Sequence, residues 1–274
     1  MFTNKTIELL EPRIKTSIKQ LFEFATKNQK NPNDIVLYLA NAHFDKELQV
    51  GNLTGHLIGE GIRGWDDVYR REFIYDYLNS GNKLSLEGIE QNKADRLVKF
   101  SINLELMIYA HIWEIDMLLN DLRQLANLVS NKVYEWESHV PETGKREFIN
   151  EFRDIFIEHN LDIGNILKET YHSQIRNAFA HGQYSLRIKD VITLLNYKNK
   201  DYEVRGLPYN EWEVRFIKTC LLFHELLNQK RTLLEYYGKN YPTLSIWMPT
   251  EKQNEFKRIV LHWHEYSKRY IFKP

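Results

Sequence analysis

The chain has 274 residues and balances 37 Lys and Arg against 37 Asp and Glu, with a sequence pI near 7.2. That neutrality excludes a basic nucleic-acid sleeve and an acidic solvating tail, so a polyanionic substrate must find its positive charge at a local site. With 43% apolar and 13% aromatic residues, the sequence has hydrophobic mass for one large soluble domain or two modest ones.

In chain order the pattern is mainly helical. Ile7, Leu10, Ile14, Ile18, Leu21, Phe22 and Ala25 recur at three- and four-residue steps and predict an amphipathic helix over 5–28. A weaker helix is expected from Asn33 to about Phe44, and another over 65–79, ending at the break Asn79-Ser80-Gly81-Asn82. One long helix is expected from about Leu86 to Val129, its apolar stripe including Leu97, Phe100, Leu104, Met107, Ile108, Ile112, Ile115, Leu119, Leu122 and Leu125. After Pro141 and Gly144, a helix over 145–159 and a further one from Asp162 follow. Beyond Gly182, residues 183–189, 191–197 and 201–205 read as a small β-hairpin or three-stranded flap. Asn210 with Glu213 suggests a capping box opening a long helix, with Val214, Ile217, Cys220, Leu221, Phe223 and Leu227 on its buried side. The tail over 251–270 can be read as helical.

The domain reading is an N-terminal helical accessory region (1–90), a helical domain (91–240) and a C-terminal extension (241–274). A lone Cys220 cannot close an internal disulfide. No apolar run reaches the roughly 18–20 residues of a membrane span, and residues 1–15 lack a signal-peptide core. The expected address is cytoplasmic, with no membrane partner.

Several motifs lack the context their chemistry requires. Gly59-Glu60-Gly61-Ile62-Arg63-Gly64 matches a dinucleotide fingerprint, but Leu53–Ile58 is a poor strand and no βαβ pattern follows. His262 and His264 have no Cys or carboxylate cluster, and His224-Glu225 lacks a second His four residues on. No metal and no cofactor is expected.

The segment 171–182 is more informative. On a helix of about 100° per residue, Tyr171, Ile175, Ala178 and Phe179 form one apolar arc. Ser173, Arg176, Asn177, Ala180 and His181 share another of about 140°, and Gly182 reads as the terminator. An arginine beside a histidine, without acids or a nucleophilic side chain, suits RNA phosphodiester cleavage: the RNA supplies its 2′-hydroxyl, imidazole moves protons, and guanidinium holds phosphate oxygens. Spacing alone leaves open an Arg176 paired to a carboxylate and a His181 capping a helix.

Ile175-Arg176-Asn177-Ala178-Phe179-Ala180-His181-Gly182-Gln183-Tyr184 resembles the R-x4-H signature of HEPN-domain proteins (higher eukaryotes and prokaryotes nucleotide-binding). A long preceding helix, a β-flap after His-Gly and a helix opened by Asn210-Glu211-Trp212 extend the resemblance over about residues 95–237. It implies a mainly α, HEPN-like antiparallel helical bundle with a small β-hairpin flap. It also implies a metal-independent endoribonuclease, acting as a toxin or phage-defence effector, that is a homodimer through the motif-bearing helix. Its partners would be RNA and an antitoxin or regulatory protein. By the resemblance, Arg176 stabilises the cleaved phosphate, His181 transfers protons, and Asn177 orients His181 or binds phosphate. His172 and Ser173 are then candidate substrate contacts, and Glu114 is the polar residue facing the motif from the earlier helix. Tyr184 stands three residues after His181, whereas the related toxins whose Tyr is modified place it two after, so Tyr184 reads as a packing residue. The alternative is a non-catalytic HEPN module that binds nucleotide, RNA or a protein partner.

Overall fold

The computed structural model describes residues 4–48, 55–59, 72–73, 76–77, 90–197, 204–250 and 255–272. Helix α1 (Asn4–Asn28) buries Ile14, Ile18, Leu21, Phe22 and Ala25, the stripe its periodicity predicts. Its principal partner is α8 (Tyr209–Asn240), and it also packs on α4 (Asp116–Val129) and α6 (Asp162–Thr170). The fold is mainly α with small antiparallel sheets, and α1 shares one hydrophobic core with the later helices. The boundary expected near residue 90 falls largely outside the described residues, as does most of the 65–79 helix.

Ion pairs tie α1 to α6. Arg13 spans from Asp162, through Nε and Nη2 (both 2.8 Å), to Glu169 (3.0 Å), and so grips both ends of α6. The guanidinium draws the Asp162 carboxyl down to about 2. A second tie is buried: Lys230 on α8 donates to Asp121 on α4 and to Asn41 (both 2.6 Å), with its ammonium 4.4 Å from the Tyr38 ring centre.

The helix expected over Asn33–Phe44 is shorter. Helix α2 (Asp34–Leu39) is buried along its whole length, and the chain then forms β1 (His43–Phe44), a 3-10 turn (Lys46–Leu48) and β2 (His56–Leu57), which pairs with β1. The long helix expected to Val129 is two: α3 (Gln91–Ile112) and α4, joined by Trp113-Glu114-Ile115. No Gly or Pro marks this break. Trp113 and Ile115 are both buried, and extending the backbone at Ile115 (ψ 103°) turns both inward while Glu114 stays exposed. On α3 the stripe read as core is partly a surface, since Phe100 and Met107 are 67% and 47% exposed.

Helices α5 (Lys145–Glu158) and α6 stand where expected, followed by α7 (Ser173–Ala180). Strands β3 (Tyr184–Ser185), β4 (Val191–Leu194) and β5 (Gly206–Pro208) then make an antiparallel three-stranded flap. The turn read at 199–201 lies outside the described residues. The expected capping box is absent, because α8 starts two residues earlier, at Tyr209 after Pro208; Glu213 instead accepts a hydrogen bond from Thr6 (2.7 Å). Val214, expected inside, is 37% exposed.

The tail corrects the helical reading most clearly. Strands β6 (Thr243–Pro249), β7 (Phe256–His264) and β8 (Arg269–Phe272) form an antiparallel sheet in that order. Leu244, Ile246 and Met248 alternate into the core beside Leu261 and Tyr270, a period of two that a helix cannot bury. His262 and His264 lie on β7 and bond Thr243 and Ser267. His224 bonds Asn228 on α8. Among the described residues no His, Cys, Asp and Glu group is arranged to hold a metal ion, and no helix is long and apolar enough to cross a membrane.

The sheet meets α8 at Gly238, where a Cβ would overlap the indole of Trp263. Gly→Ala inside a helix ordinarily stabilises by about 1 kcal/mol. Gly238→Ala is expected to destabilise by about 1–3 kcal/mol instead. In a Trp263→Ala background the same change should turn stabilising, as read by urea denaturation.

Asp34 supplies a pH test. Its carboxyl accepts from the Asn31 and Tyr134 amides (3.2 and 3.4 Å), yet burial pushes it up to about 6 from an ordinary 3.8. The folded chain holds this proton more tightly than the unfolded one. Its contribution to stability is therefore full below pH 3.8 and is lost as pH rises through about 6. Between those values Asp34 lowers folding stability by up to about 1.4 kcal/mol per pH unit. Asp34→Asn should flatten that slope in denaturation series run from pH 4 to 7.

Candidate functional site

Helix α7 gets its position from a hydroxyl. The chain leaves α6 at Thr170, runs extended through Tyr171 and His172, and re-enters a helix at Ser173. Tyr109, buried on α3, donates from its hydroxyl to the Thr170 carbonyl (2.8 Å) and accepts from the His172 amide (2.9 Å). Arg215 on α8 also donates to Thr170 (3.3 Å). Trp113 and Trp212 pack edge-on against the Tyr109 ring, and the Trp212 indole N–H is held by the buried Glu105 (2.8 Å). Burial raises the Tyr109 hydroxyl well above its ordinary pKa, so it stays protonated and able to donate.

Ile175 and Ala178 then face the core, and Gly182 ends the helix with φ +62°. The opposite face meets a cleft of about 1060 Å³. Ser173, Arg176 and Asn177 line it from α7, Glu114 and Asp116 from the α3–α4 junction, and Lys145, Arg146 and Glu147 from the start of α5. Glu114 is the centre of its charge: one carboxylate oxygen pairs with Arg176 (3.0 Å), the other with Lys145 (2.7 Å). Lys145 also reaches Asp116 (3.4 Å). With Glu142 included, four carboxylates face three cations, so no excess of positive charge draws in an anion.

The expected site residues divide. Arg176, Asn177, Ser173 and Glu114 come together in the cleft. His172 serves the reversal through its main-chain N–H and does not line the cleft. His181 follows the last turn of α7, its amide bonded to the Asn177 carbonyl (3.0 Å). Its imidazole is exposed and makes no hydrogen bond or ion pair among the described residues. Five residues of helix separate it from Arg176 by about 7.5 Å along the axis, beyond the cleft of its own chain. Tyr184 is packed, its hydroxyl donating to Asn103 (2.5 Å) and its ring 5.8 Å from Phe179.

Lys145, Arg146 and Tyr171 were not expected at the cleft. The Tyr171 hydroxyl is buried there without a hydrogen-bond partner among the described residues, near Arg176, Glu114, Arg146 and Glu147. Its placement on an apolar arc held for the ring, which packs on Trp113 at 5.0 Å, and missed the hydroxyl. The one sequence signal for Lys145 and Arg146 is the basic pair directly after Gly144 at a helix start.

The Tyr109 clamp yields a prediction. Tyr109→Phe leaves the part-buried His172 amide and the Thr170 carbonyl without their phenol partner and is expected to destabilise the fold by about 1–3 kcal/mol. Hydrogen exchange at the His172 amide should rise with it, whereas a ring-packing role alone would leave that amide protected.

Comparison with protein-family models, with curated proteins and with solved structures returns no match.

Proposed function

We propose that the chain is an RNA endonuclease of HEPN type that works as a two-fold dimer, a toxin or defence effector in biological role. The observation that carries this reading is the division of the motif: Arg176 lines the cleft while His181, directly after the same helix, is exposed outside it with no hydrogen bond or ion pair among the described residues. A site split in this way is completed by a second copy. Leu97, Phe100, Leu104, Met107 and His111 recur at alternating steps of three and four along α3, the helix on which α7 packs, and Phe100, Met107 and His111 are exposed. That spacing suits helix-on-helix docking. Two copies joined there bring two Arg176 and two His181 side chains to one composite cleft.

In this mechanism the 2′-oxygen attacks phosphorus, a new O2′–P bond forms and the P–O5′ bond breaks. The proton leaves O2′ and one is delivered to O5′, with His181 serving one of these transfers. Arg176 turns from Glu114 to the non-bridging oxygens, where negative charge builds. Asn177 and the Tyr171 hydroxyl supply neutral hydrogen bonds to the same phosphate.

A second reading follows from the pair between Arg176 and Glu114: a module that binds nucleotide or RNA without turnover. One experiment separates the two. Purified protein is incubated with an RNA panel in EDTA and the product ends are mapped. Cleavage leaving 2′,3′-cyclic phosphate, reduced about 10²–10³-fold in Arg176→Ala and His181→Ala, supports the nuclease. Equal rates in all three proteins refute it, and saturable binding without cleavage selects the second reading.

A further inference from the structure

A second cleft, of about 720 Å³, lies between the last turn of α8 and the C-terminal sheet. Tyr237 and Tyr241 line it from the helix end, their rings 5.7 Å apart, and Trp247 and Arg258 line it from β6 and β7. Trp247 and Arg258 are directly opposite in the β6–β7 register and stand on the outer face of the sheet. Cross-strand neighbours on one face have Cβ atoms about 5 Å apart, so indole and guanidinium form one platform. Tyr241 is 50% exposed and Trp247 38%. Thr243 and Ser245 add hydroxyls along the same edge.

The chemistry narrows the ligand. Among the described residues no carboxylate lines this cleft, and Arg258 makes no ion pair or hydrogen bond. An uncompensated arginine repels a cationic ligand such as a methylated lysine. Without carboxylates to accept from sugar hydroxyls, a neutral saccharide has few partners. Flat aromatic faces beside a free guanidinium suit a planar ring carrying a negative charge, which is the chemistry of an unpaired nucleotide.

We propose that this cleft binds single-stranded nucleic acid, stacking a base on Trp247 and Tyr241 and holding its phosphate with Arg258. The site is separate from the Arg176 cleft and goes beyond the cleavage reading, since it needs no turnover.

The test uses the full chain and a fluorescein-labelled 2′-O-methyl RNA decamer, which has no 2′-hydroxyl to attack. Its binding is therefore independent of whether the protein is a nuclease. Fluorescence anisotropy should show saturable binding, weakened at least about fivefold by Trp247→Ala, the scale of losing one base stack. Arg258→Gln, a change of an exposed side chain, should weaken it too and lower the slope of log affinity against log salt by about 0.7, the value for one phosphate contact on a single strand. A duplex of the same length should bind more weakly, its bases being already stacked. No binding, equal affinity in the parent and both variants, or equal affinity for duplex and single strand would overturn the proposal.

Discussion

The hydroxyl of Tyr109 holds both sides of the reversal that aims the motif helix. An extended Tyr171-His172 pair inside a helical core exposes a carbonyl and an amide that neither flanking helix satisfies, and buried backbone groups of this kind must find partners. One phenol serves both, as donor to Thr170 and acceptor from His172. Because Tyr109 is wedged between Trp113 and Trp212, the direction of α7 is tied to the α3–α4 break on one side and to α8 on the other. The break itself sets Glu114 in reach of Arg176. Motif helix, opposing carboxylate and core are therefore one packing problem with one solution.

Charge across the molecule follows a similar economy. The neutral composition is built from local neutralisation: Arg13 with Asp162 and Glu169, Lys230 with Asp121, Lys218 with Glu169, Arg176 and Lys145 with Glu114. These pairs differ in what they do. Lys230 and Asp121 are both buried, so neither can leave without stranding the other in a medium of low dielectric. Glu114 is 42% exposed and Arg176 24%, so solvent screens their pair more than the buried one. In the proposed reading a phosphate, which offers Arg176 a stronger charge and a matching fork of oxygens, displaces Glu114. The pair keeps Arg176 extended into the cleft without committing it to the fold.

Local periodicity made the helices legible, and it failed where tertiary packing decides. The stripe of α1 and the apolar arc of α7 could be read because each buries the face its spacing defines. The Trp113–Ile115 break carries no Gly or Pro; it exists because two large apolar residues, two apart, must both point inward. The α3 stripe was legible as apolar but not as exposed, since spacing reports a face and not what covers it. The tail misled because a long polar, charged segment can be given a helical phase, whereas the alternation of Leu244, Ile246 and Met248 sits just before it. At the candidate site the motif gave Arg176, Asn177, Ser173 and Glu114, which share the cleft. Lys145 lies about thirty residues before Arg176 in sequence and meets it only across Glu114, with which both cations pair, a closeness that no local pattern records.

Helix α8, whose 32 residues span about 48 Å, runs from the Tyr109 clamp to the aromatic cleft. Trp212, in its first turn, backs the Tyr109 clamp, while Tyr237 and Tyr241 at its far end line the aromatic cleft. A neutral body attracts RNA weakly over a distance, because release of condensed counterions requires positive charge that this surface mostly neutralises. Affinity must then come from discrete contacts. In the proposed reading, a strand stacked at the far end of α8 raises the effective concentration of its remaining length near Arg176, so two modest sites act together without any rise in net charge. Such an arrangement favours exposed single strands long enough to reach both clefts over short or fully paired RNA. In that reading neutrality and aromatic content are two parts of one device: the first suppresses indiscriminate binding and the second supplies the contacts that replace it.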